Sequence, residues 1–335
     1  MAFKGTLNKN LSCPKAIKSA DAIMKLLITG ATGFVGTALT EQVGSMYDTI
    51  ALVRTQNHVL SANIQQLIAA NIVATELPEN IDVIVHLAGR AHILNEQTTD
   101  PLSEFRKVNV DGTLQLARQA LDKKVKRFIF MSSIGVNGSI TLQQPFTEDA
   151  IPQPHADYAV SKLEAEQELK KLFAGSDTEL VIIRPPLVYA AHAPGNFARL
   201  LKLVASNLPL PFAGTNNKRS FVALENLVDF IQTCIQHPNA ANQTFLVADQ
   251  TSISTRELVQ YLKQGMGKPA RFIYIPQPLM KLGAACIGKS KLYEQLFESL
   301  EVDTTKAQKL LGWTAPLSTQ QAMLQAGQNY LKMKE

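Results

Sequence analysis

Leu26-Leu27-Ile28-Thr29-Gly30-Ala31-Thr32-Gly33-Phe34-Val35-Gly36 is the stretch from which the fold can be read. A short apolar run meets a turn with glycine at i, i+3 and i+6, and a helical pattern opens at Phe34. Glycines let the backbone come close to a pyrophosphate, and the N-terminus of the following helix offers free N–H groups and a positive dipole end to the anion. A glycine triad also suits any tight strand-helix turn. Its place in the first strand-helix-strand unit is what strengthens the ligand reading.

Outward from this turn, apolar runs alternate with helical patterns. The strands expected are Lys25 to Thr29, Thr49 to Val53, Asn71 to Ala74, Asp82 to Leu87, Arg127 to Ser132, Leu180 to Arg184 and Thr244 to Val247. Most are continuously apolar, which suits a sheet covered on both faces. Helices are expected at Phe34 to Val43, Pro101 to Lys124, His155 to Leu172, Phe197 to Ser206 and Leu224 to Gln236. After Asp249 the pattern turns helical, at Thr255 to Met266, Pro278 to Ile287, Thr304 to Leu311 and Leu317 to Lys332. The fold class is therefore α/β: a doubly wound parallel Rossmann sheet with a smaller, mostly helical C-terminal substrate lobe. The division expected is 1–23 as a basic extension, 24–189 with 219–249 as the dinucleotide-binding domain, and 190–218 with 250–335 as the lobe.

Composition narrows the classes. With 335 residues, 46% hydrophobic and 18% charged, the chain is neither disordered nor collagen-like, and 3 Cys make no disulfide scaffold. Cys13, Cys234 and Cys286 form no CxxC pair, and the histidines include no HExxH, so no metal site is expected. A reducing, cytoplasmic compartment is the expectation. The net charge is +5, of which residues 1–23 carry +3. The basic balance thus describes a tail, not a nucleic-acid-binding face. That tail lacks the continuous apolar core of a secretory signal and reads as an extension ahead of Met24-Lys25. No run reaches the ~20 apolar residues of a membrane span. The most apolar late stretch, Phe272 to Gly288, is broken by two prolines and Lys281.

Chemistry gathers at three further places. The second strand ends Ala51-Leu52-Val53-Arg54, where an acid would accept from an adenosine ribose 2′-OH and a base would pair with a 2′-phosphate. Arg54 therefore favours NADP(H), with NAD the alternative. Tyr158 and Lys162 stand at i, i+4 on one helix face, so an ammonium can favour the phenolate of an otherwise weak acid. Finally, Ser132-Ser133 ends a buried strand where a doubly wound sheet opens its crevice, and Ser133 can hydrogen-bond a substrate oxygen. Each feature alone has a plainer reading as a solvated arginine, a surface pair or a strand terminus.

In order, these motifs resemble the extended short-chain dehydrogenase/reductases, the nucleotide-sugar epimerase/dehydratase/4-ketoreductase group. The likeness rests on Thr29 to Gly36, His86-Leu87-Ala88-Gly89, Val108-Asn109-Val110-Asp111-Gly112-Thr113, Ser132-Ser133, Tyr158-Ala159-Val160-Ser161-Lys162 and Arg184-Pro185-Pro186-Leu187-Val188-Tyr189. It implies that Ser133, Tyr158 and Lys162 are catalytic, with Asn109 supporting them. The cofactor would meet Gly30, Thr32, Gly33, Phe34, Val35, Gly36, Arg54, Leu87, Ala88, Gly89, Pro185 and Leu187, as well as Tyr158 and Lys162. Asn196 and Arg219 would hold the substrate diphosphate. Asp303-Thr304-Thr305-Lys306 and Leu311-Gly312-Trp313 would pack in the small lobe. Two departures stand out. Val136-Asn137-Gly138 replaces Val-Tyr-Gly, and Ala190 replaces a glycine.

The resemblance implies an NADP-preferring oxidoreductase at C4 of a nucleotide-activated sugar, of the 4-keto-hexose reductase type, in surface-polysaccharide synthesis. The alternative is an NAD-dependent UDP-hexose or UDP-N-acetylhexosamine 4-epimerase. Ser133-Ile134-Gly135 lacks the acidic pair of a dehydratase. A non-catalytic NADP(H)-binding sensor would not require Tyr158, Lys162 and Ser133 together. The partners expected are a nucleotide-sugar substrate and a second copy of the chain. The homodimer would form through a four-helix bundle of Pro101 to Lys124 and His155 to Leu172.

Overall fold

The structure, a computed structural model, describes residues 23–70, 75–91 and 99–334. The expected extension at residues 1–23 lies, but for Ile23, outside them, as do Cys13 and the expected strand Asn71 to Ala74. Nine strands occur among the described residues: β1 (Lys25–Thr29), β2 (Asp48–Val53), β3 (Gln65–Ile68), β4 (Val83–His86), β5 (Arg127–Met131), β6 (Glu179–Arg184), β7 (Leu187–Tyr189), β8 (Phe221–Ala223) and β9 (Thr244–Leu246). Seven form one sheet in the order β3-β2-β1-β4-β5-β6-β9, parallel throughout. β7 and β8 pair apart from it, also parallel. The strand beside β2 is thus β3, which the sequence reading did not anticipate. Its Gln65-Gln66-Leu67-Ile68 sits at the sheet edge, half open to solvent, where no continuous apolar run is needed.

Helices cover both faces. α1 (Phe34–Val43) and α6 (Leu224–Gln236) close one side, where Leu39, Val43, Leu227, Ile231 and Cys234 meet Leu26, Ile28, Val85 and Ile129. α2 (Pro101–Arg106), α3 (Gly112–Asp122) and α4 (Asp157–Phe173) lie on the other, where Leu116, Ala120, Ala165 and Leu169 meet Leu27, Ile84, Phe128 and Ile182. The helix expected from Pro101 to Lys124 opens with Asp100 accepting from Ser103 N–H and is widened by a π turn at Lys107–Asp111 between α2 and α3. α5 (Gly195–Ala205), α7 (Thr255–Gly265), α8 (Gln277–Cys286), α9 (Ser290–Phe297), α10 (Thr305–Leu311) and α11 (Thr319–Lys332) follow. A second core of Phe197, Leu201, Phe212, Leu258, Leu262 and Met323 lies among α5, α7 and α11.

The segment around Trp313 corrects an expectation. Instead of packing in the small lobe, Ala307, Leu311 and Trp313 join the main core; the indole meets Phe230 edge-on at 4.8 Å and donates to Asp229 Oδ1 at 2.7 Å. The apolar signal was right and its destination wrong, because a chain that leaves the sheet at β9 can return to cover α6.

The sheet's order reverses between β1 and β4, and a cleft opens at the C-terminal ends of these strands. Beneath it, His86 is buried, its Nδ1 2.6 Å from Thr29 Oγ1 and its Nε2 2.9 Å from Thr113 Oγ1, tying β1, β4 and α3 together. Burial first and the Lys162 charge second push its pKa from 6.5 down to about 3. The neutral ring is therefore a condition of the fold, and stability is complete above pH 6.5 and declines as pH falls toward 3. From pH 7 to 5 this one group should cost about 2 kcal/mol. Urea unfolding at the two pH values should show that much less acid sensitivity in His86→Gln than in the wild type.

Candidate active site

The turn after β1 is built by close approach. Gly30 has φ +68°, and a Cβ on it would stand 2.7 Å from Ala88 N; one on Gly36 would stand 2.1 Å from Gly30 O. No side chain fits at either position. The cleft beside this turn has a volume of about 650 Å³ and is lined by Gly30, Thr32 and Gly33, the Leu87–Gly89 loop, Arg54 and the backbone after β3 at Ala69-Ala70. Its lining among the described residues includes Arg54, Arg90 and Lys107 and no carboxylate. A glycine cradle without side chains under a cation-rimmed cleft fits a dinucleotide's pyrophosphate. The side chains of Phe34 and Val35 turn into the core, and Gly36 seats the helix on the turn.

Next to the cleft, Asn109 acts as a clamp. It accepts from Arg90 N–H at 2.8 Å and donates to Arg90 C=O at 3.1 Å and to Ser161 Oγ at 3.0 Å, fastening the Gly89-Arg90 loop to α4. Gly89 keeps this junction open, since a Cβ there would meet Asn109 Oδ1 at 3.2 Å and Lys162 Nζ at 3.3 Å. The Lys162 ammonium donates to Met131 C=O at 2.9 Å and lies 4.5 Å above the Phe130 ring. Burial pushes it down to about 8 against the opposing pull of Glu166. One turn earlier, Tyr158 is half-buried and burial pushes its phenol up to about 12. The lowering expected from Lys162 is not found; burial is the cause of the shift.

The two hydroxyls after β5 part company. Ser132 is buried and donates to Glu166, whereas Ser133 stands at the start of a short turn, accepting from Gly135 N–H at 3.1 Å. Gly135 lies between Ser133 and α4, where a Cβ would touch Ala159 and Ser133 Oγ. Glu166 in turn pairs with Arg184 at 2.5 Å, both almost wholly buried. Asn137 accepts from Arg184 Nη1 at 3.0 Å and donates to Thr147 C=O. The Asn137 that departs from Val-Tyr-Gly therefore serves this interior network. Ala190, the other departure, only closes a turn to Ala193.

Asn196 and Arg219, both earlier in the chain, reach α9 and its C-terminal end. Arg219 donates to Glu298 C=O at 2.8 Å, and Asn196 to Gln295 Oε1 at 2.9 Å. Burial pushes Arg219 down to about 10. Pro185 is buried with its carbonyl accepting from Ile134 N–H, and Leu187 stands exposed on β7; neither lines the cleft described above.

A family model, that of the NAD dependent epimerase/dehydratase family, matches residues 26–248. The chain belongs to this family. It is 42% identical over 313 residues to a UDP-glucose 4-epimerase of Vibrio cholerae, covering 92% of this chain and 95% of that protein. It is 28% identical over 265 residues to an N-acetyl-alpha-D-glucosaminyl-diphospho-ditrans,octacis-undecaprenol 4-epimerase of Escherichia coli O157:H7, covering 78% of each. A solved UDP-glucuronic acid 4-epimerase from Bacillus cereus in complex with NAD superposes with a TM-score of 0.75 at 22% identity, over 93% of this chain and 99% of the other. The last likeness speaks for the fold. As a member of the family, the chain is an NAD(P)-dependent enzyme of the nucleotide-sugar group.

Glu166 is the residue sequence reasoning passed over. It follows Lys162 by one helical turn on the Tyr158-Lys162 stripe, a signal that was present; Glu beside Lys on a helix ordinarily reads as a solvated pair. Ala69 and Ala70, which carry no chemistry in their side chains, gave no signal at all.

Proposed function

We propose that this chain interconverts the C4 epimers of a UDP-activated hexose or N-acetylhexosamine, supplying a sugar donor for surface-polysaccharide synthesis. The reading is carried by the junction at Gly89, where the wall of the cleft meets Asn109 and Lys162; one turn earlier on the same helix stands Tyr158, and Ser133 faces that helix across Gly135. The similarity to a UDP-glucose 4-epimerase supports the choice of reaction. When bound, a dinucleotide would supply hydride acceptance from C4 and its return to the opposite face of the ring, which is what inverts the centre. Tyr158 moves the proton of the C4 oxygen, and Ser133 donates a hydrogen bond to that oxygen. Lys162, fixed at Met131 C=O, places its charge beside the phenol and the ribose. Arg219 pairs with the diphosphate, with Asn196 alongside.

The cofactor proposed is NADP(H), with NAD the alternative, because Arg54 stands at the β2 end of the cleft and no carboxylate lines it among the described residues. Net reduction at C4 is the second reading, favoured by the same arginine, since an exchangeable NADPH suits it. Proton NMR of the protein with UDP-glucose and with UDP-N-acetylglucosamine separates the two. Appearance of the axial C4 epimer without dinucleotide consumption supports epimerisation, and oxidation of NADPH with a 4-keto-sugar nucleotide supports reduction.

Tyr158→Phe removes the proton carrier and almost no volume, so turnover should fall about 10²- to 10⁴-fold with dinucleotide binding retained. Wild-type turnover in that variant contradicts the assignment. Arg54→Asp exchanges a phosphate partner for a 2′-OH acceptor, and the ratio of NADP to NAD affinity should swing toward NAD by at least about tenfold. Equal Kd ratios in both proteins would make Arg54 a bystander. The homodimer is proposed through α2, α3 and α4, which already pack on one another; light scattering should then give twice 36.7 kDa.

A further inference from the structure

α8 is an anomaly among the helices: none of its residues is buried. Met280 and Ala284, half-buried, face the body, while Leu279 and Leu282 are 60% and 63% exposed and share the outer stripe with Cys286 at i, i+3, i+7. The flanks continue the surface, with Ile273 and Tyr274 before the helix and Ile287 and Leu292 after it, all exposed. This is the stretch that carried apolar residues too broken by prolines for a membrane span.

Its charge is equally one-sided. Residues 268–293 contain Lys268, Arg271, Lys281, Lys289 and Lys291 and no acid, a net of +5, whereas residues 24–335 as a whole carry +2 and their remainder therefore −3. Large apolar side chains on a short helix flanked by five cations, with the next acid at Glu294 on α9, match the chemistry of an anionic bilayer surface, where the side chains enter the headgroup region and the cations meet lipid phosphates. The helix is held rigidly enough to present them. Ile273 N–H donates to Leu210 C=O at 2.9 Å, and α9 anchors the hairpin through Phe297, 5.5 Å from Phe212.

We propose that α8 and its flanking loops dock on an anionic phospholipid surface. The same hairpin delivers the α9 carbonyls that hold Arg219, so docking sets the candidate diphosphate grip beside the membrane. The proposal rests on this surface and not on the sugar or the cofactor.

The test is co-sedimentation of the full chain with vesicles of mixed phosphatidylglycerol and phosphatidylcholine and with phosphatidylcholine alone. Binding to the anionic vesicles is expected, weakening as salt rises. The double variant Leu279→Glu, Leu282→Glu and the triple variant Lys281→Glu, Lys289→Glu, Lys291→Glu should each lose it by on the order of a hundredfold. Circular dichroism and turnover, both expected unchanged because these residues lie outside the catalytic site, show that the variants remain folded. Absence of binding to anionic vesicles, or equal binding by the folded variants, overturns the proposal. So does a wild-type oligomer that falls to 36.7 kDa in the leucine double variant, which would make a second copy the occupant.

Discussion

Opposite charges buried away from solvent dictate where α4 sits. Glu166 and Arg184 are 1% and 3% exposed, and removing either partner of such a pair costs about 3–5 kcal/mol because the other is left buried and unpaired. The pair contributes direction more than stability. It binds α4 to the end of β6, while Ser132 donates from the end of β5 and Asn137 from the turn beyond accepts. Once these four groups are satisfied, α4 has one rotation and one height. Lys162 and Tyr158 lie one and two turns earlier on the same stripe, so their heights follow, and Lys162 comes to rest beside Gly89 of the cleft wall.

A second fixed point lies across that crevice. The neutral His86 ties Thr29 to Thr113, and Ala88 N–H reaches the same Thr29 hydroxyl at 3.2 Å, so the glycine turn and the Leu87–Gly89 loop are held at the separation that the missing Cβ atoms permit. Asn109 then fastens that loop to Ser161 on α4. The cleft walls are joined by buried polar groups that must all be paired, and a shift in one strands another. Rigidity here comes from satisfaction, not from packing alone.

What the sequence disclosed follows the same physics. Central strands and covering helices were legible because burial on both faces leaves uninterrupted Val, Ile and Leu, as in Lys25–Thr29 and Glu179–Arg184. The α6 boundaries, Leu224–Gln236, were read to the residue. β3 escaped because an edge strand tolerates Gln65 and Gln66, and α9 because its eight residues bury little besides Tyr293. Trp313 was seen as apolar and sent to the wrong core, since periodicity reports that a side chain is covered and not by what. At the site, Tyr158, Lys162, Ser133 and Asn109 were legible as motifs. Glu166 was not, because its meaning depends on Arg184, eighteen residues later and on another element.

The two shifts at α4 bear on each other. Desolvation drives Tyr158 up to about 12 and Lys162 down to about 8, moving both groups toward their neutral forms. A phenol so placed gives up its proton readily only if positive charge is kept nearby, and the same desolvation works against that charge. Glu166 is the group that opposes it, pulling Lys162 upward from one turn away. Its own negative charge is largely answered by Arg184, so it supports the ammonium without presenting a free carboxylate to the phenol. The buried pair that orients α4 thus also helps hold the ammonium in its charged form, and the positioning and the electrostatics of the site share one cause.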